Sequence, residues 1–159
     1  MTIAIGDRLP DATLLQVTES GSEAVTTADF FAGRRIALFA VPGAFTPTCS
    51  ARHLPGYVEK AGDLAAKGIN TVACTAVNDP FVMGAWARQG DAAEITMLAD
   101  GNAAFADALG LSFDGAKFGM GKRSQRYSMV VDDGVVEQLN VEAPGAFEVS
   151  SADYLLGQL

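Results

Sequence analysis

Cysteine, histidine and basic residues are scarce in this sequence of 159 residues. It contains two cysteines and one histidine, and its 11 basic residues are outnumbered by 19 acidic ones, for a formal net charge of −8. Two cysteines are too few for the disulfide framework of a small secreted domain. A nucleic-acid-binding protein must neutralise phosphates, and no basic cluster is present beyond Lys122, Arg123 and Arg126. The composition therefore argues against both classes.

Long hydrophobic stretches are also missing. The longest apolar run, residues 36–45, is too short to span a bilayer, and the first residues lack the basic and apolar regions of a secretory signal. Hydrophobic residues nevertheless make up 49% of the chain, which is typical of a globular protein with a buried core. We therefore expect a soluble, cytoplasmic protein without a membrane segment, folded as a single domain over residues 1–159.

Strand and helix patterns alternate along the chain. Strands are predicted at residues 36–41, 69–77 and 95–98, and helices at 57–67, from 79 onward, at 100–109 and from 150 to the end. Residues 127–131 and 135–139 flank Asp132-Asp133-Gly134 and predict a hairpin, whereas residues 11–33 indicate short strands and a turn. The alternation favours a parallel layer, to which the hairpin adds antiparallel strands. We therefore predict an α/β, thioredoxin-like fold with a mixed central sheet flanked by helices.

The helix that begins near residue 79 has an apolar stripe made of Phe81, Val82, Ala85 and Trp86. Because such a stripe normally faces a core, we expect Phe81 and Trp86 to be buried inside the protein rather than to form an interface.

Cys49 lies at the start of a predicted helix. Thr46 and Pro47 have the form of an N-cap followed by proline at the first helical position, so Cys49 falls in the first turn, where free N–H groups favour an anion. The thiolate is the reactive form of cysteine. Pro55 is expected to kink or end this helix. A buried, unreactive thiol is the alternative, and these local features leave both interpretations open.

Several segments resemble those of the peroxiredoxins. Residues 41–50, Val-Pro-Gly-Ala-Phe-Thr-Pro-Thr-Cys-Ser, are similar to their active-site pattern Pro-x-x-x-Thr-x-x-Cys. Residues 53–56 (His-Leu-Pro-Gly) and 77–82 (Val-Asn-Asp-Pro-Phe-Val) resemble the type II, peroxiredoxin 5-like subfamily in particular. Residues 126–131 and 149–152 match the same pattern. The resemblance covers nearly the whole chain and implies a thiol peroxidase with a thioredoxin-like fold.

The resemblance implies a role for each site residue. Cys49 is the peroxidatic cysteine, whose thiolate attacks a hydroperoxide and becomes a sulfenic acid. Thr46 supplies a hydroxyl that orients thiolate and peroxide, Arg126 a fixed cation, and Pro42 a wall against water. The implied substrates are hydrogen peroxide and small organic hydroperoxides, and a homodimer is expected.

The residues by themselves allow simpler roles. Thr46 is also suited to a helix cap, Pro42 to a turn, and Arg126 to a surface cation beside its basic neighbours. His53 suggests a Cys–His pair, but the peroxiredoxin site uses arginine instead of a base, so we expect His53 to have a packing or solvent-edge role.

Cys74, on the predicted second strand, is the candidate resolving cysteine. In plant-like members of the subfamily a cysteine at this spacing is thought to form a disulfide with the peroxidatic one, whereas other members use a position that corresponds here to Val149. Two versions stay open. Either Cys74 resolves the sulfenic acid and thioredoxin or glutaredoxin reduces the bridge, or Cys74 is inert and an external thiol, such as glutathione with glutaredoxin, attacks directly. We favour the second version.

Other chemistries fit the sequence less well. Zinc needs four ligands, and only Cys49, His53 and Cys74 are soft donors, so we expect no metal and no bound cofactor. Residues 119–122 resemble part of a phosphate loop without its full pattern, and there is no Cys-x-x-Cys pair. The main alternative is a redox sensor in which oxidised Cys49 exchanges disulfides with a partner protein.

Overall fold

A mixed sheet of seven strands forms the centre of the computed structural model, which describes residues 2–159. The strands are β1 (Thr13–Thr18), β2 (Gly21–Thr26), β3 (Arg35–Ala40), β4 (Thr71–Ala76), β5 (Thr96–Ala99), β6 (Ser112–Asp114), β7 (Lys122–Ser124), β8 (Tyr127–Asp132) and β9 (Val135–Val141). The helices are α1 (Thr27–Phe31), α2 (Leu54–Ala66), α3 (Pro80–Gln89), α4 (Ala104–Leu109) and α5 (Ala152–Leu156). Within this described range, no helix is long and apolar enough to cross a membrane.

The large sheet has the strand order β2-β1-β5-β4-β3-β8-β9, and β6 pairs with β7 in a separate two-stranded sheet. β3, β4 and β5 are parallel, whereas β8 runs antiparallel to β3 and β9 antiparallel to β8. Every residue from 36 to 40 is buried, which explains why β3 is a continuous apolar run without alternation. The predicted α/β architecture, with its mixed sheet and late hairpin, is confirmed.

The sheet separates two apolar clusters. Because side chains alternate along a strand, β3 sends Ala37 and Phe39 to one face and Ile36 and Leu38 to the other. The first cluster includes residues of α2, α3 and α5, and the second includes residues of α1 and α4. The candidate site residue Cys49 belongs to the first cluster.

The ends of several predicted elements differ from those observed. The short strands and the turn predicted for residues 11–33 are present as the hairpin β1–β2, whereas the helix α1 that follows was not predicted. The strands β6 and β7 were missed as well. The helix predicted at 100–109 begins only at Ala104, because the Asp100 carboxylate accepts hydrogen bonds from the N–H groups of Phe105 and Ala106 and so precedes the helix. The terminal helix ends at Leu156 instead of continuing to the end of the chain.

The predicted burial of Phe81 is wrong. Its side chain is 78% exposed, whereas Trp86 is buried as expected. The face of α3 that packs against the protein is formed by Met83, Gly84 and Trp86. The buried face of α3 is therefore rotated about the helix axis relative to the predicted apolar stripe, and Phe81 lies outside the core.

Of the two outcomes expected at Pro55, a kink or an end of the helix that carries Cys49, the end is not observed. The helix begins at Pro47 and widens into a π-helical turn, Cys49–His53, which leads directly into α2. The N–H of Leu54 donates to the carbonyl of Cys49, the longer-range bond of a π turn. Pro55, which has no N–H to donate, then falls in the first turn of α2, where a proline is tolerated.

Candidate active site

Cys49 is fully buried and lies in the first turn of the helix that follows the carboxyl end of β3. Arg126 immediately precedes β8, the antiparallel neighbour of β3, with Ala40 opposite Tyr127. This pairing brings together two residues that lie 77 positions apart in the chain, and Arg126 Nη2 is 3.0 Å from Cys49 Sγ. The guanidinium therefore donates a hydrogen bond to the sulfur and places a positive charge beside it.

Thr46 and Pro42 lie on the loop that joins β3 to the helix. The Thr46 hydroxyl donates to the Gly43 carbonyl at 2.6 Å, and the Pro42 carbonyl accepts from Arg123 Nη1 at 3.5 Å. A Cβ atom at Gly43 would lie 3.2 Å from Thr46 Cγ2 and 3.1 Å from Arg123 Nη1, so glycine allows this close approach. Both residues are positioned beside the helix start that carries Cys49.

The helix cap expected from Thr46 is formed only by its backbone. The Thr46 carbonyl accepts the N–H of Ser50 at 2.9 Å, as an N-cap residue does. Its hydroxyl is directed to the Gly43 carbonyl, and among the described residues it accepts no helix N–H. A second contact holds the helix start: Trp86 Nε1 donates to the Ser50 hydroxyl at 2.9 Å. The sequence indicated Trp86 only as a core residue.

His53 is buried and contacts Arg126, so a solvent-edge role is wrong. His53 Nδ1 lies 2.9 Å from Arg126 Nη1, and Nε2 lies 3.0 Å from the Ser150 carbonyl. A guanidinium can only donate hydrogen bonds, so Nδ1 is the acceptor. The proton of the neutral ring is therefore on Nε2, which donates a hydrogen bond to the Ser150 carbonyl. Burial, together with the Arg126 charge, lowers the pKa of His53 to about 3. The neutral imidazole ring of His53 therefore accepts a hydrogen bond from Arg126 and orients it.

Sequence reasoning missed the contact between His53 and Arg126. The available signal was position, since His53 follows Cys49 by one helical turn and so lies on the same face of the helix. Its partners, Arg126 and Ser150, come from distant parts of the chain, which no local pattern reveals.

We expect the buried neutral state of His53 to make stability depend on pH between 6.5 and 5. The folded pKa of about 3 lies below the ordinary 6.5, so in this window the unfolded chain binds an extra proton and the free energy of unfolding falls as pH falls. The loss from pH 6.5 to 5 is about 1.5 kcal/mol. Urea titrations measure it, and His53→Gln should remove this component. Identical pH dependence in both proteins would show that His53 titrates normally.

Cys74 lies on β4 directly opposite Phe39 of β3. It is fully buried, and both cysteines are free thiols. Burial, reinforced by the nearby Cys49, raises the pKa of the Cys74 thiol well above its usual value. Since β4 has neighbouring strands on both sides, moving Cys74 towards another residue would disrupt the centre of the sheet. Cys74 is thus a poor nucleophile in this conformation.

Over residues 2–159, no group of three or more His, Cys, Asp or Glu side chains is placed to hold a metal ion. In the glycine-containing segment 119–122, residues 119–121 lead into β7 and Lys122 is its first residue. Arg123, the next residue, contacts the loop of Pro42.

Comparison with known proteins identifies the family. A family model described as Redoxin matches residues 4–156. Peroxiredoxin-2E-2, chloroplastic, of Oryza sativa subsp. japonica is 52% identical, covering 99% of this chain and 73% of that protein. Peroxiredoxin-2B of Arabidopsis thaliana is 43% identical, covering 99% of this chain and 98% of that protein. The crystal structure of reduced Prx3 from Vibrio vulnificus in complex with hydrogen peroxide is 55% identical, with a TM-score of 0.96 and 99% of both chains covered.

A thioredoxin-like fold with a buried, arginine-bound cysteine at a helix start defines a thiol-dependent redox enzyme. The chain belongs to the redoxin family as a type II peroxiredoxin. Its activity is that of a thiol-dependent peroxidase, and the resemblance noted in the sequence is confirmed, as is the thioredoxin-like fold.

Proposed function

We propose that Cys49 is the peroxidatic cysteine and that the enzyme reduces hydrogen peroxide and small organic hydroperoxides. The observation that carries this assignment is the hydrogen bond of 3.0 Å from Arg126 Nη2 to Cys49 Sγ. Cys74, by contrast, is buried on a central strand, and burial raises the pKa of its thiol. The related Vibrio vulnificus Prx3, solved in complex with hydrogen peroxide, supports this substrate.

In the proposed reaction the Cys49 thiolate attacks one oxygen of the hydroperoxide. An S–O bond forms and the O–O bond breaks. The distal oxygen takes up a proton, equivalent to the one lost by the Cys49 thiol, and leaves as water or an alcohol, while the sulfur is oxidised to a sulfenic acid. Arg126 stabilises the negative charge that spreads over both oxygens in the transition state. The Thr46 hydroxyl donates its proton to the Gly43 carbonyl, so it is left as an acceptor for the O–H of a hydroperoxide, and Pro42 limits access of water.

We propose that an external thiol, such as glutathione with glutaredoxin, or thioredoxin, completes the cycle. Its thiolate attacks the Cys49 sulfenic acid, a mixed disulfide forms and water leaves; a second thiol then restores Cys49. The position of Cys74 between β3 and β5 favours this version over an internal disulfide. The predicted cytoplasmic location stays a prediction.

We also propose a homodimer that packs near the active-site loops. Phe45, in the loop after β3, and Phe81, at the start of α3, are large apolar side chains that are 47% and 78% exposed. The two loops are joined by a hydrogen bond from the Ala44 N–H to Asn78 Oδ1. Large apolar side chains exposed on two segments that are joined in this way are candidates for a protein interface.

Intact mass measured after one equivalent of hydrogen peroxide tests the proposed chemistry. We expect the reduced protein to gain one oxygen atom within seconds, and the Cys74→Ser variant to do the same. A loss of two hydrogen atoms that disappears in Cys74→Ser would make Cys74 the resolving partner. An unchanged mass over minutes would contradict an activated Cys49.

Multiple turnover separates the peroxidase from the redox sensor. With excess peroxide and glutathione plus glutaredoxin, or thioredoxin with its reductase, a peroxidase consumes many equivalents of peroxide per Cys49. A sensor is oxidised once and then transfers its oxidation to a partner protein without sustained consumption.

A further inference from the structure

Glu142, which follows β9 directly, is a buried carboxylate that binds the loop before α5. Its Oε2 accepts the N–H groups of Glu148, Val149 and Ser150, each at 2.8 Å, and the Ser150 hydroxyl at 2.6 Å. Burial alone would raise the pKa of Glu142, but the hydrogen bonds led by those of Ser150 lower it, so the side chain is ionised at neutral pH. A single carboxylate thus fixes three consecutive residues of the loop.

The loop held by Glu142 presents the Ser150 carbonyl to the active-site helix. This oxygen accepts two hydrogen bonds, from His53 Nε2 at 3.0 Å and from the Tyr57 hydroxyl at 2.9 Å. Because the Ser150 carbonyl accepts a hydrogen bond from the N–H at Nε2 of His53, the Nδ1 atom of the neutral ring is left as the acceptor that faces Arg126. The opposite tautomer would direct an N–H group at a guanidinium, which has no acceptor.

The backbone of Glu142 is bound to Arg126 as well. Its N–H donates to the Arg126 carbonyl at 2.9 Å. Glu142 therefore holds the main chain of Arg126 directly and the side chain of Arg126 through Ser150 and His53. The aromatic ring of Phe147, in the same loop, lies against His53 with ring centroids 5.0 Å apart and has the Arg126 guanidinium 5.8 Å from its centroid. The last contact in this series, which runs from Glu142 through Ser150, His53 and Arg126, is the hydrogen bond from Arg126 to Cys49.

We propose that Glu142 is a positioning residue of the peroxidase reaction: by holding the Ser150 carbonyl it fixes the tautomer of His53, which in turn aims Arg126 at the sulfur of Cys49. This inference rests on the proposed roles of Cys49 and Arg126 and extends them to a residue that does not touch the reacting atoms. The charges that affect the pKa of His53 are those of Arg126 and Glu142, and the Arg52 guanidinium lies 4.7 Å from the centroid of the Phe147 ring that packs against His53.

The tautomer of His53 gives a direct test, because the chain has one histidine and its ring nitrogens need no assignment among others. In long-range 15N–1H NMR spectra at pH 7 we expect the wild type to show the neutral tautomer with the proton on Nε2. The Glu142→Gln variant keeps the shape of the side chain at position 142 but loses its negative charge, and it should show a mixture of the two neutral tautomers of His53. Unchanged nitrogen shifts in a folded Glu142→Gln protein would overturn the proposal.

The rate of Cys49 oxidation gives the functional test. Trp86, the single tryptophan, is hydrogen-bonded to the residue after Cys49, so stopped-flow fluorescence can follow the reaction with hydrogen peroxide. We expect Glu142→Gln to slow it about fivefold to tenfold, the effect of a misaligned transition-state donor. If that variant does not fold, Ser150→Ala, which removes only the hydroxyl bound to Glu142, should slow it about twofold to threefold.

Two controls separate positioning from general destabilisation. Ser151→Ala, in the neighbouring position, removes the N-cap of α5 and should lower the melting temperature without changing the rate. In a His53→Gln background, Glu142→Gln should change the rate less than about twofold, because residues that act in series are not additive. The inference would be overturned if the effects of His53→Gln and Glu142→Gln on the rate were additive, or if the Glu142→Gln variant reacted at the wild-type rate. Absence of Cys49 oxidation in the wild type would instead contradict the proposed function.

Discussion

Replacing Cys49 with serine is expected to lower the rate constant for hydrogen peroxide reduction by a factor on the order of 10⁶, the scale seen when a catalytic nucleophile is removed. A serine hydroxyl is not ionised at neutral pH, so the Arg126 guanidinium, which lies 3.0 Å from the sulfur in the wild type, has no anion to stabilise. Stopped-flow measurements with hydrogen peroxide under single-turnover conditions measure the change.

Cys74→Ser is the matched control for this variant. Both thiols are fully buried in the same apolar cluster, so the two substitutions place the same hydroxyl in similar surroundings. The Cys74→Ser variant should react with peroxide at a rate within about threefold of wild type, because Arg126 donates its hydrogen bond to Cys49 and burial raises the pKa of the Cys74 thiol. A Cys49→Ser protein that still reacts rapidly while Cys74→Ser does not would reverse the assignment.

Replacing Arg126 with methionine is expected to slow Cys49 oxidation by about 10² to 10³, as found when a single preorganised donor is removed from an active site. The substitution removes the hydrogen bonds to both Cys49 and His53. Arg126→Lys keeps the charge but has no planar fork to contact both partners, so we expect it to recover only part of the rate. The initial rate of sulfenic acid formation, trapped with dimedone, reports both effects.

Lys122→Met provides the control for charge. It removes the same charge from a nearby position, where an exposed Lys122 forms an ion pair of 2.9 Å with Asp107. Exposed ion pairs contribute little, so the rate of Cys49 oxidation should be unchanged. If Arg126→Met and Lys122→Met slowed the reaction equally, Arg126 would act only through the net charge of the protein.

The central elements could be predicted because their patterns are local. β3 and β4 are buried on both faces, and such strands appear in a sequence as continuous apolar runs. The turn Asp132-Asp133-Gly134 identified the hairpin β8–β9, in which Asp133 and Gly134 both have a positive φ. By contrast, β2 is mostly exposed, and β6 and β7 have three residues each. Short or exposed strands have too little periodicity to be recognised.

The helix α3 shows a different limit. Its apolar residues define a stripe, but helical periodicity does not determine which edge of a wide stripe packs against the sheet. Packing selected Met83, Gly84 and Trp86 and left Phe81 exposed. The π-helical turn at Cys49–His53 could not be predicted from the sequence either, because it depends on the hydrogen bond from the Leu54 N–H to the Cys49 carbonyl and on how Pro55 is accommodated.

The sequence by itself determined the kind of chemistry: a cysteine in the first turn of a helix, preceded by Thr46 and Pro47, in segments that resemble the peroxiredoxins. Only the tertiary structure decided that Arg126 contacts the sulfur, that His53 is a buried neutral acceptor, and that Glu142 holds the loop behind it. The physical reason is distance along the chain. A helix start is encoded by adjacent residues, whereas the charge and hydrogen bonds around Cys49 come from strands and loops that meet only when the sheet is assembled.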